Sequence, residues 1–196
     1  MRYRFWGMKD LKGYRKTIVT KNNREVLLRP PRKDDADGLL RFINELVGEE
    51  TYILIEKRVS RKEEIAYLDE RLKEMREKRG FNLLAVYRGR ILANGNVSRG
   101  IGRQSHVGDL GVSVVKDFRD EELGSLIMME LLGLAKRWLG LKLISLGCFE
   151  NNARALHVYR KAGFAEAGKI PKAIFYKGEY LADVMMCLDL QQWEPK

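Results

Sequence analysis

The chain has 196 residues, with 37 Lys and Arg against 27 Asp and Glu, which gives a formal net charge of +10. This length predicts one domain, or one domain with an extension, and hydrophobic residues at 45% exclude wholesale disorder. No apolar run approaches the roughly 18 residues of a membrane span, and the basic start lacks the apolar stretch of a secretory signal. Two cysteines without metal-ligand spacing predict a reduced, cytoplasmic protein with no metal site.

The positive charge is concentrated at the start of the chain. The first 25 residues hold eight Lys and Arg against two acidic residues, interleaved with Tyr3, Phe5, Trp6 and Tyr14. We therefore divide the chain into a basic, aromatic extension at 1–24 and a main domain at 25–196. Such an arm can pack on the domain or on a sister subunit of a homodimer, contact nucleic acid, or stay disordered. We favour packing, and we do not expect nucleic acid to be the partner.

The first half of the chain alternates between the two hydrophobic periods. An apolar stripe of helical spacing ends at Gly48, and Ser60 with Glu63 forms a capping box that opens a second helix ending at Gly80. Two apolar runs around Arg88-Gly89-Arg90 predict a hairpin. The strands predicted here are 26–29, 81–87, 91–98 and 106–115.

The second half has a different rhythm. A broad apolar stripe predicts a helix over 123–139, followed by a fully apolar strand at 141–149. Asn152 can cap a helix that Gly163 closes. The rest predicts a strand at 175–180 containing a Lys177-Gly178 turn, and a last strand at 181–190.

This order of elements predicts a mixed α/β domain in which hairpins come first and a βαβ crossover follows. It contains about seven strands and about four helices. The junction between the strand near Val112 and the helix at Leu123 places free backbone N–H groups and a helix dipole after a strand, which is a ready anion site. Gly124 and Ser125 are small enough for an anion to approach the backbone.

The segment after the apolar strand carries a more specific pattern. Asn152, Ala155, Tyr159, Gly163 and Phe164 meet the motif N-x-x-A-x-x-x-Y-x-x-x-G-F in full. This resembles the GNAT superfamily of acetyl-CoA-dependent N-acetyltransferases, over about residues 25–190. The family's cofactor motif, R/Q-x-x-G-x-G/A, is matched at its first and last positions by the run from Arg119 to Gly124. The resemblance implies a strongly curved, mixed sheet flanked by helices, with acetyl-CoA as co-substrate.

The resemblance also implies site residues. Tyr159 matches the tyrosine that protonates the leaving thiolate, and a phenol of pKa about 10 stays protonated at neutral pH. Backbone groups of Val112 and Val114 would contact the pantetheine arm of the cofactor. Asn152 would form a hydrogen bond with the amide region of that arm, or would simply cap the helix that follows it. The diphosphate would be held by Arg119, Asp120, Glu121, Glu122, Leu123, Gly124 and Ser125.

Two departures from the family pattern matter. Glu122 stands where the first motif glycine is expected, so we expect cofactor binding to survive but to weaken. Some members use a strand glutamate as general base, but the matching residue here is Gly147. The remaining candidates that could reach the acceptor are Asp109, His106, Glu49 and Glu50, with Glu150 assigned to a loop.

The resemblance implies direct attack of a primary amine on the thioester. The amine would belong to a small molecule, an amino acid or a protein N-terminus, and would enter near 48–58 and 169–180. The competing interpretation is a catalytically weak binding or regulatory module of the same fold, whose basic arm contacts nucleic acid or a protein partner.

Overall fold

The computed structural model describes residues 11–194. In that range the chain forms eight strands and four α-helices. The strands are β1 (Lys16–Val19), β2 (Glu25–Arg29), β3 (Gly80–Tyr87), β4 (Arg90–Arg99), β5 (Val107–Val114), β6 (Leu143–Phe149), β7 (Ala165–Tyr176) and β8 (Glu179–Asp189). The helices are α1 (Ala36–Gly48), α2 (Arg61–Arg76), α3 (Leu123–Arg137) and α4 (Ala153–Ala162).

The strands form one sheet in the order β1-β2-β3-β4-β5-β6-β8-β7. All neighbouring pairs are antiparallel except β5 with β6, which is parallel and registers only Val107–Asp109 against Leu143–Ser145. Beyond Asp109, β5 stays paired with β4 as far as Val114, while β6 follows β8 as far as Phe149. The two strands therefore diverge, and a gap opens in the middle of the sheet.

The helices cover opposite faces of the sheet. Gly95 of β4 lacks a side chain where Ile127 and Leu131 of α3 press closest, within 2.8 Å of where a Cβ would lie. Asn82 of β3 faces the other way and reaches Tyr67 of α2. Helices α1 and α2 thus share one face, and α3 and α4 the other, with the apolar core between these layers.

The predicted helix signals are confirmed at their ends. Ser60 and Glu63 close the reciprocal capping box of α2, and the Asn152 Oδ1 accepts from the Ala155 amide at 3.1 Å to cap α4. Gly163 ends α4 in the left-handed region, with φ of 104°.

The described part of the N-terminal segment belongs to the sheet. Strand β1, which the sequence did not predict because it is short and mostly exposed, pairs with β2. Leu11 and Tyr14 are buried, and the Tyr14 hydroxyl and the Lys16 ammonium both donate to Glu130 of α3. The sheet and the core thus continue across the predicted boundary at residue 24. The basic and aromatic residues before Leu11 lie outside the described residues.

The end of the sheet differs from the prediction. The predicted strand at 175–180 is wrong, because the Lys177-Gly178 turn separates two long strands and β7 already begins at Ala165. Strand β7 lies at the sheet edge with nearly all its side chains exposed, and two register irregularities interrupt its pairing with β8. Such a strand lacks the alternation of apolar residues that reveals half-buried strands.

Candidate active site

A cavity of about 750 Å³ lies on the α3 and α4 face, where β5 and β6 diverge. It is bounded by the end of β5, the first turns of α3 and α4, and the segment that follows α1. Ten of the eleven site residues predicted from the sequence line it: Val112, Val114, Arg119, Asp120, Glu122, Leu123, Gly124, Ser125, Asn152 and Tyr159. The structure therefore brings together residues that are up to 47 positions apart in the chain.

Glu121 is the exception. Its side chain is only 3% exposed and turns away from the cavity toward the turn between β1 and β2. Its carboxylate accepts from the Thr20 hydroxyl at 2.8 Å and lies 3.4 Å from Arg24. The prediction for this run concerned main-chain contacts with a diphosphate, and the inward turn of the Glu121 side chain leaves that prediction open.

The loop before α3 has an unusual backbone. Asp120 and Glu122 have φ of 68° and 63°, in the left-handed region that favours glycine. Glu122 is the N-cap residue of α3 but makes no capping hydrogen bond with its side chain. The amides of Leu123, Gly124 and Ser125 lie in the first turn of α3, where backbone donors have no partner within the helix. This end of α3 opens into the cavity.

Arg119 is engaged in holding the site together. Its Nε donates to the Val114 carbonyl at 3.0 Å, and its guanidinium also binds Glu49 at the end of α1. Glu49 in addition accepts from the Lys116 amide at 3.2 Å. Arg119 therefore fixes the loop to β5 and α1, and the Glu49 carboxylate is unavailable as a free general base.

Tyr159 lies on α4 at the wall of the cavity, with its ring 5.9 Å from that of Phe164. Burial, and then the neighbouring Cys148 thiol, raise the pKa of Tyr159 to about 12. Burial also raises the pKa of Cys148 to about 11. Both groups are therefore protonated at neutral pH, and the Tyr159 hydroxyl can donate into the cavity.

A second cavity of about 420 Å³ lies between the segment after α1 and the end of β7. Its walls include the rings of Phe149 and Tyr176. Both pack against Tyr52, which lines the first cavity, and the three ring centroids lie 5.3–5.6 Å apart. The Tyr176 hydroxyl donates to the Glu50 carbonyl at 2.6 Å, and Lys177 lies 3.2 Å from the Glu50 carboxylate. The two segments that were predicted to receive the acceptor therefore do meet. Both cavities are lined by Leu46, Thr51 and Ile53, which makes them neighbours.

The candidate general bases predicted from the sequence differ in exposure and in the partners that their side chains have. His106 is exposed, Glu50 is paired with Lys177, and the Glu150 carboxylate accepts from the Ala182 amide at 2.6 Å. Asp109 is the last residue of β5 in register with β6. Asp109 is exposed as a residue, like His106, but partial desolvation of its carboxyl group, and then the charge of Asp183, raise the pKa of Asp109.

Asp183 of β8 was missed by sequence reasoning. Its carboxylate oxygens lie 2.7 and 2.8 Å from where a Cβ on Gly147 would be, so this carboxylate fills the space over Gly147. Alternation along the strands places Asp109, Gly147 and Phe149 on one face, and the register pairs Asp183 with Phe149. The two carboxylates thus share the face that carries the aromatic cavity. The signal available in the sequence was Gly147, whose missing side chain leaves room for a cross-strand neighbour.

A family model described as the acetyltransferase (GNAT) family matches residues 42–164. The chain belongs to this family. The resemblance read from the two motifs is thereby confirmed, as are the predicted mixed sheet with its flanking helices and acetyl-CoA as the co-substrate that goes with the GNAT fold.

One curated relative matches this GNAT-family chain over part of its length. The chain is 35% identical to an L-amino acid N-acetyltransferase, AaaT, from Escherichia coli over 79 residues, which are 40% of this chain and 49% of that protein. It thus spans about half the length of this curated relative.

Solved GNAT structures share the fold over most of the chain. A ribosomal-protein-alanine N-acetyltransferase from Brucella melitensis is 21% identical, with 83% of this chain and 98% of that chain covered and a TM-score of 0.74. The putative acetyltransferase yncA from Salmonella typhimurium, solved with acetyl-CoA, is 18% identical, with 87% and 97% covered and a TM-score of 0.75. At these identities the likeness concerns the fold.

Within residues 11–194, no helix is long and apolar enough to cross a membrane. The same residues contain no group of three or more His, Cys, Asp or Glu side chains placed to hold a metal ion.

Proposed function

We propose that this chain transfers an acetyl group from acetyl-CoA to the primary amine of an amino acid or of a peptide N-terminus, by direct attack. The observation that carries the proposal is the pair of neighbouring cavities at the gap between β5 and β6. One cavity opens onto the start of α3, and the other has an aromatic wall on the opposite face. An acyl donor and an amine bound on the two sides would meet where the strands diverge.

The cofactor cavity has the chemical groups that acetyl-CoA requires. The amides of Leu123, Gly124 and Ser125, with the positive end of the α3 dipole, suit a diphosphate. The backbone of Val112–Val114 lies beyond the last β5–β6 pair, so its groups on that edge can bond an amide-containing arm. Asn152 uses Oδ1 as the helix cap, and its NH2 group is the part of the side chain that can donate to a ligand. Bound acetyl-CoA would supply the reactive thioester.

The chain's own residues would manage the protons. An amine is protonated at neutral pH, so a base must accept its proton before attack. We assign that role to the Asp183 and Asp109 carboxylates, because they lie on the acceptor face beside the gap. Tyr159, whose pKa of about 12 keeps its proton in place, would donate it to the departing sulfur on the other face. Backbone amides at the gap are the donors available for the oxyanion.

The acceptor cavity favours an amine with an apolar substituent. Its walls combine aromatic rings with Leu46, Ile53 and Ile174. Of its two acidic side chains, Glu50 is paired with Lys177, whereas Glu56 is exposed and has no ion pair within residues 11–194. The name of the curated relative supports a free amino acid. A peptide N-terminus is the second acceptor class, because the exposed β7 edge leaves the cavity open on one side.

The test is a thiol-release assay with acetyl-CoA, with products identified by mass spectrometry. The panel compares apolar L-amino acids, their amides and short peptides that begin with the same residues. We expect N-acetyl products from at least one class, and a Tyr159→Phe variant at about 1% of the wild-type rate. Tyr67→Phe, at an exposed tyrosine of α2 that lines neither cavity, serves as control. Acetyl-CoA binding without any product would favour the binding module instead.

A further inference from the structure

The turn between β1 and β2, residues 20–24, packs against the loop that precedes α3. The Lys21 amide donates to the Glu121 carbonyl at 3.1 Å, and the Thr20 hydroxyl donates to the Glu121 carboxylate at 2.8 Å. Arg24 lies 3.4 Å from the same carboxylate, and its guanidinium lies over the Phe118 ring, 4.5 Å from the centroid. Four contacts therefore tie this turn to one end of the cofactor cavity.

These contacts reduce the negative charge that the loop places near the start of α3. The run Asp120-Glu121-Glu122 carries three carboxylates beside a helix end that has to receive an anion. The turn withdraws one of them, because Glu121 is buried and compensated by Arg24 and Thr20. Arg154 compensates a second by pairing with Asp120 at 3.1 Å. Glu122 remains as an exposed carboxylate at the cavity.

Lys21 is the cation that this arrangement brings to the cavity. It is exposed and lines the cofactor cavity, and its backbone amide is fixed to the loop by the bond to Glu121. Among residues 11–194, its ammonium has no ion-pair partner. Of the other cations that line the cavity, Arg119 and Arg154 are bonded to Glu49 and Asp120. Lys161 is exposed in the last turn of α4 and has no ion pair within residues 11–194, but it lies on the α4 side, away from the loop that precedes α3. Lys21 is therefore free to meet a ligand charge.

We infer that Lys21 binds the diphosphate of acetyl-CoA, and that the 20–24 turn is a built part of the cofactor site. The matched family region, 42–164, begins well after this turn. The inference rests on the proposed use of acetyl-CoA and adds a phosphate-binding side chain from outside the cofactor motif. A lysine contributed by the hairpin offsets the charge of Glu122, which stands at the position of a motif glycine.

The experiment measures the binding of CoA to Lys21→Met by calorimetry, without any acceptor amine. Methionine keeps the length of the side chain and removes its charge. We expect CoA to bind about tenfold more weakly, which is the usual loss for one charge-assisted contact. Pantetheine, which has no phosphate, should bind the variant as it binds the wild type. Lys62→Met, at an exposed lysine of α2, is the matched control and should change neither ligand.

The ligand series also identifies the phosphate. Dephospho-CoA keeps the diphosphate and lacks the 3′-phosphate, so the tenfold loss should persist with it. If the loss disappears with dephospho-CoA, the assignment to the diphosphate is wrong. If Lys21→Met binds CoA within twofold of wild type, the inference is overturned while the proposed acetyl transfer stands. A wild type that binds CoA and acetylates no amine overturns the proposed function and leaves Lys21 to be judged on the binding data.

Discussion

The cofactor cavity takes most of its walls from residues 112–125 and 152–161, whereas the acceptor cavity joins residues 46–56 to residues 173–177. The first presents backbone amides at the start of a helix and a strand edge without a partner, and these groups depend little on side-chain identity. The second presents side chains, above all the rings of Phe149 and Tyr176, which pack against Tyr52 in the wall of the first. Main-chain recognition tolerates an exceptional residue such as Glu122, but side-chain recognition changes with every substitution.

Removing the Asp183 carboxylate should have the largest effect, because it acts where the two cavities meet. We expect Asp183→Asn to lower kcat about 100-fold, the range for loss of a general base, and to leave CoA binding unchanged. Gly147→Ala is the matched variant, because its Cβ would displace the Asp183 carboxylate without removing it. We expect this variant to lower kcat less than Asp183→Asn does. A kcat for Asp183→Asn within threefold of wild type at all pH values would remove Asp183 from the mechanism.

The acceptor cavity should respond strongly to truncation of one ring. Phe149 is 6% exposed and contacts both tyrosines, so Phe149→Ala should lower the free energy of unfolding by about 3 kcal/mol. The KM for the amine should rise about tenfold while the affinity for CoA stays within twofold. Urea denaturation and steady-state kinetics measure these quantities, and Phe149→Leu should give a milder version of both. An equal loss of CoA affinity would break the separation between the cavities.

Glu122 tests the main-chain character of the cofactor cavity. Glu122→Gly removes a carboxylate beside the proposed diphosphate site, so CoA affinity should rise about threefold, as expected for relief of a screened like-charge contact. The left-handed backbone suits glycine, and this gain roughly offsets the greater freedom of glycine in the unfolded chain, so stability should change by less than about 1 kcal/mol. Asp120→Gly is the contrast, because it also breaks the ion pair with Arg154. Calorimetry and thermal melts measure both, and weaker CoA binding by Glu122→Gly would contradict this account.

The smallest expected effect concerns pH and stability. Partial desolvation of the carboxyl group, and then Asp183, raise the pKa of Asp109, so the folded protein holds this proton more tightly than the unfolded chain does. The effect on stability should be small, because Asp109 is exposed as a residue. The contribution of Asp109 is therefore most favourable at low pH and declines as the pH rises from the ordinary carboxyl range through the raised pKa. Asp109→Asn should reduce that decline. The measurement is the free energy of unfolding in urea between pH 3 and pH 7, and an unchanged slope would place Asp109 in ordinary solvent.

Much of the cofactor side could be predicted from the sequence, because its signals are local. Asn152 and Gly163 mark the two ends of α4, and Tyr159 sits between them in a contiguous motif. The direction of a side chain in a tight loop cannot be predicted from neighbouring residues in this way. The Glu121 side chain is turned inward by Thr20 and Arg24, which lie about 100 residues earlier in the chain.

The acceptor side depends on contacts between distant strands. Asp183 reaches the space above Gly147 only because β8 lies beside β6, and the sequence does not state which strands become neighbours. Strands β1 and β7 escaped prediction for a related reason. Both are edge strands whose exposed side chains lack a hydrophobic alternation, so only their pairing partners define them.

The three residue pairs that join β5 to β6 have a mechanical consequence. Strands β1 to β5 form one continuous antiparallel portion of the sheet, and strands β6, β8 and β7 form another. The three β5–β6 pairs are the short seam between these two portions. A sheet with a short seam yields there first when it is strained. A ligand that forms hydrogen bonds with the β5 edge inside the gap would connect the two portions of the sheet across that seam. Filling the site would then slow amide hydrogen exchange along β5 and β6 well beyond the residues that the ligand touches.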